Sequence, residues 1–154
     1  NILAEPTDSE ITITQKGLIE SAAKTIKPHS VLVAITGATC ANVALLQFEA
    51  SANQSVVAIE PFDVTNAKFL YHSLLMERGQ ILSRQSGSAQ GGVNLKTVKG
   101  LTIRCPPLPE QTAIAEVLTE MDGELAVLTQ RREKTRALKQ AMMQELLTGR
   151  TRII

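Results

Sequence analysis

The chain has 154 residues, of which 44% are hydrophobic and 20% charged, and its formal net charge is +1. A chain of this length can bury about 70% of its unfolded surface, enough for an ordinary core without staples. No stretch approaches the roughly 20 uninterrupted apolar residues of a membrane span, and two cysteines are too few for a disulfide framework.

In chain order, ITIT (11–14) alternates and predicts an edge strand. SVLVAI (30–35), NVALLQ (42–47) and SVVAIE (55–60) are apolar runs of strand length, separated by the turn-rich stretches TGAT (36–39) and EASANQ (49–54). In DVTNAKFLYHSLLMERG (63–79), Val64, Ala67, Tyr71, Leu74 and Leu75 follow helical spacing with Leu70 beside them; Asp63 or Thr65 would cap the helix, and Gly79 would weaken or stop it. SRQSGSAQGGVN (83–94) is small, polar and glycine-rich, and reads as a loop. VKGLTIRC (98–105) is a further strand candidate, closed by Pro106 and Pro107.

Beyond the prolines a long amphipathic helix is predicted. Pro109 suits a first helical turn, with Glu110 behind it against the positive helix end. Ile114, Leu118, Met121, Leu125, Leu128, Leu138, Met142 and Leu146 form its apolar stripe, and Thr148-Gly149 ends it. Asp122-Gly123 invites a kink, and heptads through Met121 and Leu128 place Arg132 and Lys139 at seam positions, so the pattern departs from an ideal coiled coil. If continuous from Glu110 to Leu147 the helix would be about 57 Å long at 1.5 Å per residue. A domain of about 100 residues has a radius of gyration of only about 13 Å, so the stripe needs a partner helix. The expected architecture is thus a mixed α/β (α+β) domain with a small twisted sheet, over residues 1–108, followed by a coiled-coil-type helix over 109–154.

Charge is segregated. Arg78, Arg84, Lys96, Lys99 and Arg104 face no acid between Arg78 and Pro109, whereas Glu110, Glu116, Glu120, Asp122 and Glu124 face no base between Glu110 and Glu124. The bases return at Arg131, Arg132, Lys134, Arg136 and Lys139, which read as a solvated helix face.

Catalytic chemistry is thinly represented. His29 and His72 lack a second ligand at helical spacing, and there is no phosphate-binding Walker loop, no GxSxG elbow and no cofactor-binding glycine motif. Pro106-Pro107 lacks the preceding Asn or Asp and the following aromatic of an amino-methyltransferase. No catalytic residue, cofactor or metal is expected. Cys40 and Cys105 are expected to be buried free thiols, which suggests a reducing compartment, the cytoplasm.

A nucleic-acid surface is better supported. Around the 83–94 loop, Gln85, Ser88, Gln90 and Asn94 carry the donors and acceptors that read base edges, while Arg84, Lys96 and Lys99 suit phosphates. Thr36, Thr39 and Asn42 form a second polar cluster after a buried strand. The bland alternatives are a solvated loop and a plain β-turn.

In this order and spacing, residues 11–154 resemble the specificity subunit of type I restriction–modification systems. PPLPEQTAIAEVL (106–118) is similar to the P-P-L-x-E-Q-x-x-I-A-x-x-L entry of that family's conserved helical region, and LKQAMMQELLTGR (138–150) to its end. GLIESAAKTIKPHSVLVAITGAT, ASANQSVVAI and SGSAQGGVNLKTVKGLTI look like its target recognition domain. The resemblance implies a non-catalytic subunit that reads one half of a split double-stranded DNA site. It also implies docking to an N6-adenine methyltransferase (modification) subunit and, through the complex, to a restriction and translocation subunit. The family turn often continues with Gly-Lys where Ala41-Asn42 stand here, which removes a possible phosphate contact. Starting at Asn1 without an initiator Met, the sequence reads as a recognition domain entered partway. Its unpartnered helix stripe predicts a homodimer when isolated. The rival reading is an assembly module that uses the helix alone, without reading DNA.

Overall fold

The computed structural model describes residue 9, residues 11–85 and residues 91–153. It divides into two compact units, one ending at Leu118 and the other beginning at Thr119.

The first unit is α/β. A short helix α1 (Gln15–Ile19) precedes strands β1 (Thr25–Ile26), β2 (Val31–Ala34), β3 (Val43–Leu45), β4 (Ala50–Ser51) and β5 (Val56–Ile59). Helices α2 (Ala67–Met76), α3 (Arg78–Ser83) and α4 (Leu95–Lys99) follow, and α5 (Leu108–Leu147) begins in this unit. Among the described residues these strands pair antiparallel, as a three-stranded sheet in the order β3-β2-β5 and a two-stranded ribbon of β1 with β4.

Period-2 alternation explains the central strand. Val31 and Val33 point to one face and are fully buried, and they lie opposite Leu45 and Val43 of β3 and Ile59 and Val57 of β5. Leu70, Tyr71 and Leu74 of α2 complete this core with Ile81, Val93 and Val98. The helical spacing in 63–79 marks a helix that the fold contains, but its start is different. Asn66, not Asp63 or Thr65, caps it: the Asn66 side-chain oxygen accepts from the backbone N–H groups of Lys68 (3.0 Å) and Phe69 (3.1 Å). Val64 consequently lies outside the helix and is exposed.

Two expected strands are absent. ITIT is not paired; Thr14 instead caps α1, its hydroxyl accepting from Gly17 N–H. VKGLTIRC is not a strand because its first residues finish α4, opened by an Asn94 cap and closed at Gly100. Leu101 and Ile103 then pack on the core without joining a sheet. That packing stops short of Cys105, which is exposed, whereas Cys40 is buried as expected.

The turn before β2 holds one conformational strain. Pro28 and His29 occupy the middle of a turn in which Ser30 N–H donates to Lys27 O, and His29 has φ +65°. Glycine suits that position, because an L side chain there costs about 1–2 kcal/mol. Glycine's extra freedom when unfolded returns part of this. His29→Gly should therefore stabilise the chain by about 0.5–1 kcal/mol, read as a rise of a few degrees in the thermal midpoint.

In the second unit, α5 continues unbroken through Gly123 and ends where Gly149 takes φ +73°. Met121, Leu125, Leu128, Leu138 and Met142 are each more than half exposed, and Leu146 is partly buried. Among the described residues no helix is long and apolar enough to cross a membrane.

Candidate nucleic-acid interface

The hairpin between β2 and β3 is closed by residues 35–42. Ala34 N–H donates to Asn42 O and Ala41 N–H to Ala34 O, each near 2.9 Å, so the strand ends are tied before the chain turns. Gly37–Thr39 form a 3-10 turn that leaves Thr36 and Thr39 exposed. Beneath them, Cys40 and Ala41 are buried, Ala41 at φ +62°. The polar tip thus stands on an apolar base.

The second polar segment reaches this hairpin directly. Val93 N–H donates to Ile35 O at 2.8 Å, and a Cβ at Gly92 would lie 2.7 Å from that same carbonyl oxygen. Only a residue without a side chain allows the two backbones to come this close. Gln85 donates through Nε2 to Gly91 O, which ties the end of the α3 segment to the 91–94 segment. Ser88 and Gln90 lie outside the described residues.

Asn94 has a structural duty: its side-chain oxygen accepts from Thr97 N–H (2.9 Å) and Thr97 Oγ1 (3.2 Å), capping α4. What it retains for a ligand is its NH2 group. Lys96 and Lys99 are exposed on α4. The Arg84 guanidinium lies alongside Gly100, at the carboxyl end of that helix. Of the nine residues singled out for DNA, Thr36, Thr39, Gln85 and Asn94 thus belong to two segments that the fold joins through the Val93–Ile35 bond. Arg84, Lys96 and Lys99 are carried by the helix that Asn94 caps or lie beside its end.

Sequence reading missed Arg78 here. It is exposed at the start of α3, and its Nη2 donates to Asn42 Oδ1 at 3.2 Å. The hairpin therefore carries a cation beside it, supplied by another element rather than by the turn itself. Nothing local signals that pairing, because 36 residues separate the partners. The α4 helix, by contrast, carries a local signal that the strand reading of 98–105 passed over, an Asn cap and a Gly stop six positions apart.

The apolar stripe of α5 was assigned to a helix–helix interface. In the first unit, Ile114 and Leu118 line a cleft of about 410 Å³ with Phe69, Met76 and Ile103. Among the described residues no cluster of His, Cys, Asp and Glu could hold a metal ion.

A family model described as type I restriction modification DNA specificity domain matches residues 2–136. The chain is 26% identical over 119 residues to the type I restriction enzyme EcoR124I/EcoR124II specificity subunit of Escherichia coli, covering 74% of this chain and 30% of that protein. It is 29% identical over 80 residues to the type I restriction enzyme MjaVIII specificity subunit of Methanocaldococcus jannaschii, covering 52% and 19% respectively. The chain thus spans under a third of the length of the curated relatives it matches. Among solved structures, one concerned with complex assembly and conformational transition of the type I R-M system matches with TM-score 0.64 and 21% identity, over 79% of this chain and 31% of that chain. The HsdS subunit from Thermoanaerobacter tengcongensis matches with TM-score 0.60 and 20% identity, over 79% and 30%. These structural likenesses establish the fold.

Proposed function

The chain belongs to the family of type I restriction–modification DNA specificity domains, and on that premise we propose that it reads one half of a bipartite duplex target without performing chemistry itself. Residues up to about 108 act as the target recognition domain, and the helix beyond them as spacer and docking element. The observation that supports this most directly is the tie between the 35–42 hairpin and the 91–94 segment. Two polar stretches far apart in sequence, one carrying Thr36 and Thr39 and the other Gln85 and Asn94, are joined by the Val93–Ile35 and Gln85–Gly91 hydrogen bonds. Ser88 and Gln90 lie between Gln85 and Gly91 in the sequence and are assigned to bases with them. Arg84, Lys96 and Lys99 are assigned to phosphates, which fix register while the amide and hydroxyl groups specify bases.

In the full system the chain docks an N6-adenine methyltransferase subunit and, through it, the restriction and translocation subunit. The exposed stripe of Met121, Leu125, Leu128, Leu138 and Met142 is the surface assigned to a partner helix, with Ile114, Leu118 and Leu146 extending it. In the isolated chain that partner is a second copy. A symmetric dimer of this kind predicts a palindromic target.

Selection from a random duplex library, with the modification subunit added, tests the reading. Enrichment of one short motif is the expected result. The competing reading, an assembly module, draws on the same exposed stripe and on the cleft beside Phe69 and Ile103. Stable protein association with no motif enriched, and an affinity for DNA that hardly changes with salt, would favour it over DNA recognition.

A further inference from the structure

We propose that Arg78 is a preorganised contact to a DNA phosphate, and that Asn42 is the residue that positions it; the proposal rests on the DNA-recognition reading. Asn42 is well placed to aim another side chain. Its N–H donates to Thr39 O, its carbonyl accepts from Ala34 N–H, and the preceding Ala41 is fully buried in a left-handed conformation. The side-chain oxygen therefore projects from a defined backbone, and Arg78 Nη2 meets it at 3.2 Å.

The partner's chemistry matters. A carboxylate at this position would neutralise the guanidinium. An amide oxygen occupies one N–H of the five-donor fork and leaves both the charge and the remaining donors in place. Arg78 is exposed, and no acid occurs in the sequence from Ser21 to Phe48 or from Arg78 to Pro109. Glu77, its acidic neighbour in the chain, lines the separate cleft with Phe69 and Ile103. An arginine already held at one donor has less rotamer freedom to lose when it meets a phosphate.

The test compares duplex binding by the full chain with its modification subunit over a range of salt concentrations, for wild type, Arg78→Ala, Arg78→Lys and Asn42→Ala. Arg78→Ala should weaken binding about tenfold, evenly across the selected duplex and its single-base variants, and reduce the log–log salt slope by about 0.9. Arg78→Lys should keep the wild-type slope and lose affinity several-fold, because it keeps the charge without the fork. Asn42→Ala should also lose affinity at an unchanged slope. Unfolding midpoints followed by the fluorescence of Tyr71 identify any variant that is simply misfolded. Wild-type affinity and slope in a folded Arg78→Ala would overturn the proposal, as would a loss confined to one base pair, which would make Arg78 a base reader. Failure of the wild type to bind any duplex is a different result, since it removes the DNA-recognition reading itself.

Discussion

Gln111→Glu should destabilise the α/β unit by about 4 kcal/mol although it changes the side chain's size hardly at all. Gln111 is 1% exposed, and its amide makes three hydrogen bonds. Asn66 N–H donates to Oε1 at 2.9 Å, while Nε2 donates to Val64 O at 3.0 Å and to Pro106 O at 2.8 Å. The first turn of α5 is thereby fastened to the residue that caps α2 and to the proline segment. A carboxylate keeps the acceptor but puts one oxygen where Nε2 carried both donors, so that oxygen faces the carbonyl oxygens of Val64 and Pro106 in a site closed to water. An uncompensated charge buried in this way typically costs about 3–5 kcal/mol. Gln111→Leu fills similar space without the charge and should cost about 3 kcal/mol, as it leaves three backbone groups unpaired. The check is urea unfolding of the full chain followed by fluorescence. The sequence holds one tyrosine and no tryptophan, and Tyr71 is buried in the core, so the signal reports this unit. Equal midpoints for wild type and Gln111→Glu would refute the latch.

Gly92→Ala carries the second large effect, and it acts on stability and recognition together. The new methyl group would sit 2.7 Å from Ile35 O and 3.4 Å from Thr36 Cα. Both are backbone atoms of the hairpin, so the loop has to move. Moving it breaks the Val93–Ile35 hydrogen bond and lifts Val93, 5% exposed, from the core. Overpacking at about 1–3 kcal/mol and a lost hydrogen bond near 1 kcal/mol together give about 3 kcal/mol. Below its unfolding midpoint the variant should also lose motif enrichment in the library selection, because the two polar segments no longer share one frame. A stable variant with full enrichment would show that the junction can yield, and would break the assignment of these segments to one interface.

Much of the fold could be read without coordinates. The three apolar runs at 31–34, 43–45 and 56–59 are strands because β-branched residues alternate inward between turn-rich stretches. The helix over 67–76 and the long helix over 108–147 follow from a 3.6-residue period. Misreadings occurred where local pattern admits two answers. ITIT alternates like a strand but pairs with no strand among the described residues, and VKGLTIRC joins the end of a capped helix to an unpaired segment. The cap on α2 passed to Asn66 because the amide network around Gln111 holds that residue, and no local pattern contains that network.

The candidate site divides in the same way. Its chemistry, a glycine-rich polar loop among cations without acids, is a property of the sequence alone, as are the apolar stripe of the last helix and the Pro-Pro entry before it. Only the tertiary structure placed the 91–94 segment against the hairpin through Gly92, aimed Arg78 at Asn42 from 36 residues away and made Gln111 a buried fastening rather than a surface residue of a first helical turn. The physical reason is range. Periodicity, caps and breakers act between residues a few positions apart and are written in order along the chain. Hydrogen bonds between distant backbones, and the close approach that only a missing side chain permits, exist once the core has folded and brought those positions together.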